Sequence, residues 1–303
     1  MRKRAFAVGG ALAALMVVTA GCAQDQPPRP VAAASAGIRP LTDVEQLRIA
    51  DAQQRLIGSC MTRQGFKFWE AERLSLEESR TVGYVQDDVD WAREHGYGSR
   101  IQAKEDRARQ ANPNLAYRAS LSPQRRAAYD KALDGGLDAP VISAGLPGGG
   151  TIRKKVGGCA AESEKRLYGD LTTWFRADKV AANLRPLYVP QVLRDDEFKA
   201  ALNAWARCME RAGHSYADPA AARRAAAMLP DAGTSEKSFA TEREIATAEA
   251  TCARTASLKT VGAERERFHV DALRDRYGEA IDTSRRIQHE AFARAAELVG
   301  PRT

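Results

Sequence analysis

Apolar residues recur at helical spacing along most of this chain, and the first such run is the clearest. Val44, Leu47, Ile49, Leu56, Ile57, Cys60 and Met61 recur at helical spacing, and Thr42 with Glu45 forms a capping box at the start of that run. Gly65 marks the end, since glycine accepts the left-handed conformation beyond a C-terminus. The aromatic residues Phe66, Phe68 and Trp69 follow. A second helix is expected over Asp87–His95, stopping at Gly96, and a third opens at Ser122-Pro123 and stops at Gly135-Gly136. Between these two, Ser99–Tyr117 is mainly polar and reads as partly loose. The β signal is confined to residues 140–158, where Val141-Ile142 and Thr151-Ile152 flank a Gly-Leu-Pro-Gly-Gly-Gly turn, predicting one short hairpin around 141–156. Further helices are predicted over Cys159–Phe175, Asp195–Arg211, Pro219–Met228 and a long segment from Thr241 to Leu298. Thr241 and Glu244 form a second capping box there, and Gly262 is the expected bend. The fold class is therefore all-α, mainly helical with one hairpin.

The N-terminus reads differently. Arg2, Lys3 and Arg4 precede an apolar run from Ala5 to Val18, about 14 residues, and then Thr19-Ala20-Gly21-Cys22. A membrane-spanning helix needs about 20 apolar residues, so an export leader over 1–21 is expected. The residues before Cys22 resemble a bacterial lipobox, in which the cysteine thiol takes a diacylglyceryl group and becomes the first residue after cleavage. Thr19 stands where that pattern prefers leucine, and Val18-Thr19-Ala20 also fits an ordinary signal-peptidase site. The cysteine count favours lipidation. Five cysteines are present, and assigning Cys22 to lipid leaves Cys60, Cys159, Cys208 and Cys252, an even number for an exported chain. Residues 22–40 are rich in proline and small residues and have too little apolar surface to fold. They read as a tether with a span of about 25 Å. The expected location is the outer face of the cell membrane, held there through lipid on Cys22, with the folded body over 41–303.

That body carries an internal echo. Cys60-Met61-Thr62-Arg63-Gln64-Gly65 matches Cys208-Met209-Glu210-Arg211-Ala212-Gly213, each at the end of a helix with an aromatic residue beyond it. Each is followed, after an insertion, by a helix with a further cysteine. The economical reading is a duplicated helical pair, in halves of roughly 41–180 and 190–303, stapled by Cys60–Cys159 and Cys208–Cys252. Four cysteines allow three pairings, and the other two stay open. These units, together with Ser122-Pro123…Ala128-Tyr129 and Gly158-Cys159-Ala160-Ala161-Glu162…Leu167-Tyr168-Gly169-Asp170, resemble a group of uncharacterised actinobacterial exported lipoproteins. The resemblance covers most of the mature chain and implies no activity and no catalytic residues.

Charge and motifs narrow the function by exclusion. Loss of the basic leader lowers the formal charge from +7 to about +4, with no block of five or six like charges, so nucleic acid is not an expected partner. The four histidines are scattered. His269 and His289, if on one helix, would lie about 200° apart, so no metal site and no cofactor are expected. No Cys-x-x-Cys, no Gly-x-Ser-x-Gly elbow and no Ser-x-x-Lys occurs, and Gly145–Thr151 lacks the lysine of a phosphate loop. Asp87, Asp88 and Asp90 beside Trp91 suit the first turn of a helix, although paired acids next to tryptophan also suit a glycan hydrolase. Trp205 reads as core. Trp69, Trp91 and Trp174 are candidates for a ligand groove. The expectation is a non-enzymatic envelope protein that binds a protein or cell-wall glycan, with a glycan hydrolase and a structural assembly factor as alternatives.

Overall fold

The computed structural model describes residues 38–72, 74–80, 82–231 and 233–300. The leader, Cys22 and most of the tether lie outside them. Among the described residues there are thirteen α-helices and one two-stranded antiparallel sheet. No helix among them is long and apolar enough to cross a membrane.

Helix α1 (Asp43–Arg63) begins at the predicted capping box: Thr42 accepts from the Glu45 N–H while Glu45 accepts from the Thr42 N–H. Its apolar face splits between two clusters. Ile49, Ala52 and Leu56 pack with Leu167, Ala291 and Ala295, whereas Ile57, Cys60 and Met61 pack with Phe66, Tyr129 and Cys159. Helix α2 (Val89–His95) is capped by Asp88, whose carboxylate accepts the Trp91 N–H at 3.1 Å. The acidic triplet thus takes the helix-start role expected of it.

The stretch expected to be loose is helical. Helix α3 (Ser99–Gln110) has no buried residue, and α4 (Pro113–Ser120) starts with proline in its first turn. Strong helix formers and side-chain pairs hold α3, among them Lys104 with Glu78 at 2.9 Å and Arg100 with Glu236. With no buried face, α3 carries no apolar stripe for a helical period to reveal.

Helix α5 (Pro123–Asp134) runs from the Ser122 cap to Gly135, and the hairpin pairs β1 (Val141–Gly145) with β2 (Thr151–Lys155), Val141 opposite Lys155. Helix α6 (Gly158–Tyr168) then starts against the end of α5. A Cβ on Gly157 would stand 2.7 Å from the Gly135 Cα and 2.8 Å from the Asp134 carbonyl oxygen, so only glycine permits this approach. It brings Cys159 to Cys60.

The single helix expected over Cys159–Phe175 is two. Gly169 ends α6 at φ +78°, and Asp170 caps α7 (Leu171–Ala182) by accepting the Thr173 N–H at 2.8 Å. Helix α8 (Arg185–Val192) was not anticipated, because it carries proline in its first turn and again at Pro190. Helices α9 (Asp196–Arg211) and α10 (Pro219–Ala227) follow as expected.

The long C-terminal segment breaks elsewhere than at Gly262. Helix α11 (Glu236–Thr255) is capped by Ser235, not Thr241, whose hydroxyl instead donates back to the Lys237 carbonyl inside the helix. Helix α12 (Leu258–Asp271) is separated from α11 by Ser257 in a left-handed conformation, and α13 (Arg274–Leu298) follows. His269 and His289 thus belong to different helices. Gly262 lies inside α12, where a Cβ would touch the Phe198 ring at 3.4 Å; its role is packing.

Both disulfides have the expected pairing, Cys60–Cys159 between α1 and α6 and Cys208–Cys252 between α9 and α11, each with Cα atoms 5.5 Å apart. Elements also cross between the two stapled pairs. Helix α2 packs on α11, and α13 lies along α1, α6 and α7. The largest core gathers Trp205, Met209, Phe198, Ile245, Leu258 and Ile281 with Val85, Leu184 and Tyr188 from preceding segments.

Candidate functional site

The three candidate groove tryptophans stand in different settings. Trp69 packs edge-on against Tyr117 at 5.6 Å, Trp174 stacks on Tyr168 at 4.4 Å, and Trp91 is buried against His95 at 5.0 Å. The cleft that Trp91 lines, about 430 Å³, includes neither of the others. Its inner acid, Glu242, is fully engaged: one oxygen accepts the N–H groups of Tyr97 (2.8 Å) and Ser99 (3.2 Å), and the other accepts the Ser99 hydroxyl. These bonds cap the start of α3, which has no side-chain cap of its own. Trp205 is wholly buried, as expected.

Beneath this cleft lies a buried charged group that sequence inspection did not single out. Glu249 is fully buried. It accepts from the Tyr97 hydroxyl at 2.6 Å and from Arg223 Nη2 at 3.2 Å. Burial raises its pKa above the ordinary carboxylate value, and Arg223 and Tyr97 only partly oppose that. Burial also raises the Tyr97 hydroxyl, reinforced by the adjacent carboxylate. Arg223 reaches on to the Gly83 carbonyl at 2.5 Å, so the network ties α10 and α11 to the segment that leads into α2.

That segment forms one wall of a largely apolar cleft of about 450 Å³, within the range of small-molecule pockets. Phe198 of α9 is the floor. Tyr188 and Val192 of α8 form one side, Tyr84 and Val85 another, and Gly262 and Ala263 of α12 the third. The start of α9 is clamped by Asp195, which accepts the Phe198 N–H at 3.4 Å, Arg265 Nε at 2.8 Å and a contact from His269 Nε2 at 3.3 Å. Burial pushes the Asp195 carboxyl up, but these hydrogen bonds outweigh it and hold it below the ordinary range.

Polar groups border the cleft without crossing its floor. The Tyr188 hydroxyl donates to Glu266 at 2.6 Å, and burial, with this bond, raises its pKa. The Tyr84 hydroxyl is pushed up to about 12, first by burial and then by Asp218. Asp218 caps α10, and Lys259 pairs with Asp87 at 2.6 Å. Arg185 is exposed at the rim, one turn before Tyr188. The arrangement can bury an apolar body against Phe198, Tyr84 and Tyr188 and place a charged or polar end near Arg185. It presents no histidine, cysteine or serine to act as nucleophile or metal donor. The cleft was not legible in the sequence, since it joins four separated segments and rests on a helix with two prolines. No protein-family model, no curated protein and no solved structure matches this chain.

Proposed function

We propose that this protein is an exported, lipid-anchored binding protein of the cell envelope, with no catalytic activity, and that the cleft over Phe198 holds a small amphipathic molecule. The observation that carries the reading is the cleft itself: an aromatic and aliphatic interior of about 450 Å³, with its charged groups confined to the border. Two disulfides suit an oxidising compartment and so support export. Engagement of Glu242 by backbone N–H groups in the Trp91 cleft favours binding over glycan hydrolysis, because that carboxylate is committed to capping a helix. Membership of the actinobacterial lipoprotein group, lipidation of Cys22 and a tether over 22–40 belong to the same proposal.

The test uses anilinonaphthalene sulfonate, an aromatic body with an anionic end. Wild-type protein should bind it with a single saturable site. Ala263→Trp, at an exposed position on the cleft wall, should abolish that binding and leave the melting temperature unchanged. Equal binding by wild type and A263W would overturn the assignment of the cleft. Cys22→Ser should release the protein from membranes, and an unacylated Cys22 in the intact mass of the wild type would overturn the anchor.

A further inference from the structure

Three donor groups converge where the turn ahead of α2 meets the end of that helix. Glu94 and His95 occupy the last turn of α2, and Glu77 comes from the preceding turn. His95 Nε2 lies 3.7 Å from Glu77 Oε1 and 3.9 Å from Glu94 Oε1, and the three donor atoms all fall within 4.8 Å of one another. The Nε2 atom is buried and has no hydrogen-bond partner. A buried polar atom left unpaired is costly, and here it faces two carboxylate oxygens just beyond hydrogen-bond reach.

Trp91 holds both sides of the cluster. Its ring lies 5.0 Å from the His95 ring, and its indole N–H donates to the Glu77 carbonyl at 3.3 Å. Arg93, the nearest basic residue in sequence, is paired with Asp90 at 2.6 Å.

We propose that Glu77, Glu94 and His95 form a binding site for a divalent transition-metal ion of the zinc type. Metal–ligand bonds of about 2.0–2.1 Å in a tetrahedron require donors about 3.3–3.5 Å apart. The two His95 spacings need to close by a few tenths of an ångström and the Glu77–Glu94 spacing, within 4.8 Å, by no more than about 1.5 Å, and the Glu77 and Glu94 side chains, 57% and 69% exposed, have the freedom to do so. Two carboxylates and a neutral imidazole carry two negative charges, which one divalent cation cancels and one proton does not. The imidazole selects a zinc-like ion over magnesium or calcium, which prefer all-oxygen sites. Three protein donors leave a fourth position for water. The spacing of the histidines along the chain gave no sign of this set, because the third donor arrives through the turn.

The experiment is calorimetric titration of the disulfide-intact protein with zinc chloride. One equivalent should bind. Glu77→Gln and Glu94→Gln alter exposed side chains, so both variants should fold with unchanged melting temperatures when metal-free. Each should lose affinity by at least about tenfold, since loss of a donor must exceed the loss produced by removing its outer partner. His95→Gln should abolish binding. Absence of zinc binding by the wild type, undiminished binding by both glutamine variants, or preference for calcium would each overturn the proposal. Binding of the naphthalene probe at the Phe198 cleft should be the same in E77Q and E94Q as in the wild type, which separates this test from that of the proposed function.

Discussion

Cys60 and Cys208 end their helices in the same way and then meet different surroundings. In the first corner, the Phe66 N–H donates to the Met61 carbonyl at 3.0 Å and the Gly65 N–H to Thr62. In the second, the His214 N–H donates to Met209 at 2.9 Å and the Gly213 N–H to Glu210. Both are Schellman ends with the glycine at positive φ, +77° and +86°, and both methionines are fully buried. Beyond that point they diverge. Phe66 is buried edge-on against Tyr129 at 5.4 Å, and Arg125 lies over it while donating to the Gly65 carbonyl at 3.2 Å. His214 instead lines an open groove of about 590 Å³ along the second disulfide. The chain between Gly65 and Cys159 is long enough to supply α5 as a cover. The shorter stretch after Gly213 supplies only α10, which turns toward Tyr97 and Glu249. The local sequence therefore sets the helix end, and the length of the following insertion decides whether the corner closes.

The sharpest way to break this comparison is to remove each staple in turn. The first closes a separation of 99 residues and the second one of 44. On the chain-entropy account their loss costs about 4.7 and about 4 kcal/mol. Cys60→Ser with Cys159→Ser should therefore lower urea stability more than the Cys208, Cys252 pair of changes. The reverse order would show that the open corner carries strain or denatured-state structure that the closed one lacks.

Among the described residues, no acid lies in the buried cluster around the first corner. Arg223→Met would leave the buried Glu249 without its cationic partner, with the Tyr97 hydroxyl still donating to it, a loss of about 3–5 kcal/mol. The pH dependence has a definite sign. A carboxyl whose pKa is raised by folding contributes stability below its ordinary value and loses it as the pH climbs through the raised one. Glu45 does the opposite. The Arg39 side chain and the Thr42 N–H hold it down to about 2, so its contribution is present above its ordinary value and disappears as the pH falls toward 2. Melting temperatures across pH should lose their decline on the higher-pH side in Glu249→Gln and part of their acid decline in Glu45→Gln.

Smaller effects sharpen the likeness of the two corners. No atom lies within 4 Å of a Cβ placed on either Gly65 or Gly213, so alanine there introduces backbone strain alone. G65A and G213A should each cost about 1–2 kcal/mol, equally within error. At the opposite ends of the same helices, Thr42→Ala should cost about 1 kcal/mol. Asp195→Ala should cost more, because Asp195 also holds Arg265 and His269. Denaturant midpoints of the four variants decide both points.

What could be read from the sequence follows from the range of each interaction. The Thr42 box, the Ser122-Pro123 start, the hairpin and the paired Cys-Met units are decided within a few residues, and each is found where the pattern put it. The pairing of Cys60 with Cys159 was legible because the duplication repeated it. Thr241 misled because its motif is valid only at a helix start, and Ser235 had already opened the helix. Helix α3 is held by partners on other elements, and α8 survives two prolines because Leu184, Tyr188 and Val192 enter the main core. The Phe198 cleft and the Glu77–His95 cluster depend on tertiary assembly alone.

The contact between the first and last helices has a mechanical consequence. Arg48 bonds the Val299 carbonyl at 2.9 Å, Arg55 the Leu298 carbonyl at 3.1 Å, and His289 the Arg39 carbonyl at 2.9 Å. Any pull on the chain ahead of Ile38 therefore enters the body where its two ends are clasped. The load would peel α1 from α13 one contact at a time, and the peeling front would halt at Cys60, where the covalent link to α6 passes the force on. The stretch between Cys60 and Cys159, bridged by that link, is bypassed by the load, which α6 and the helices packed on it take up instead.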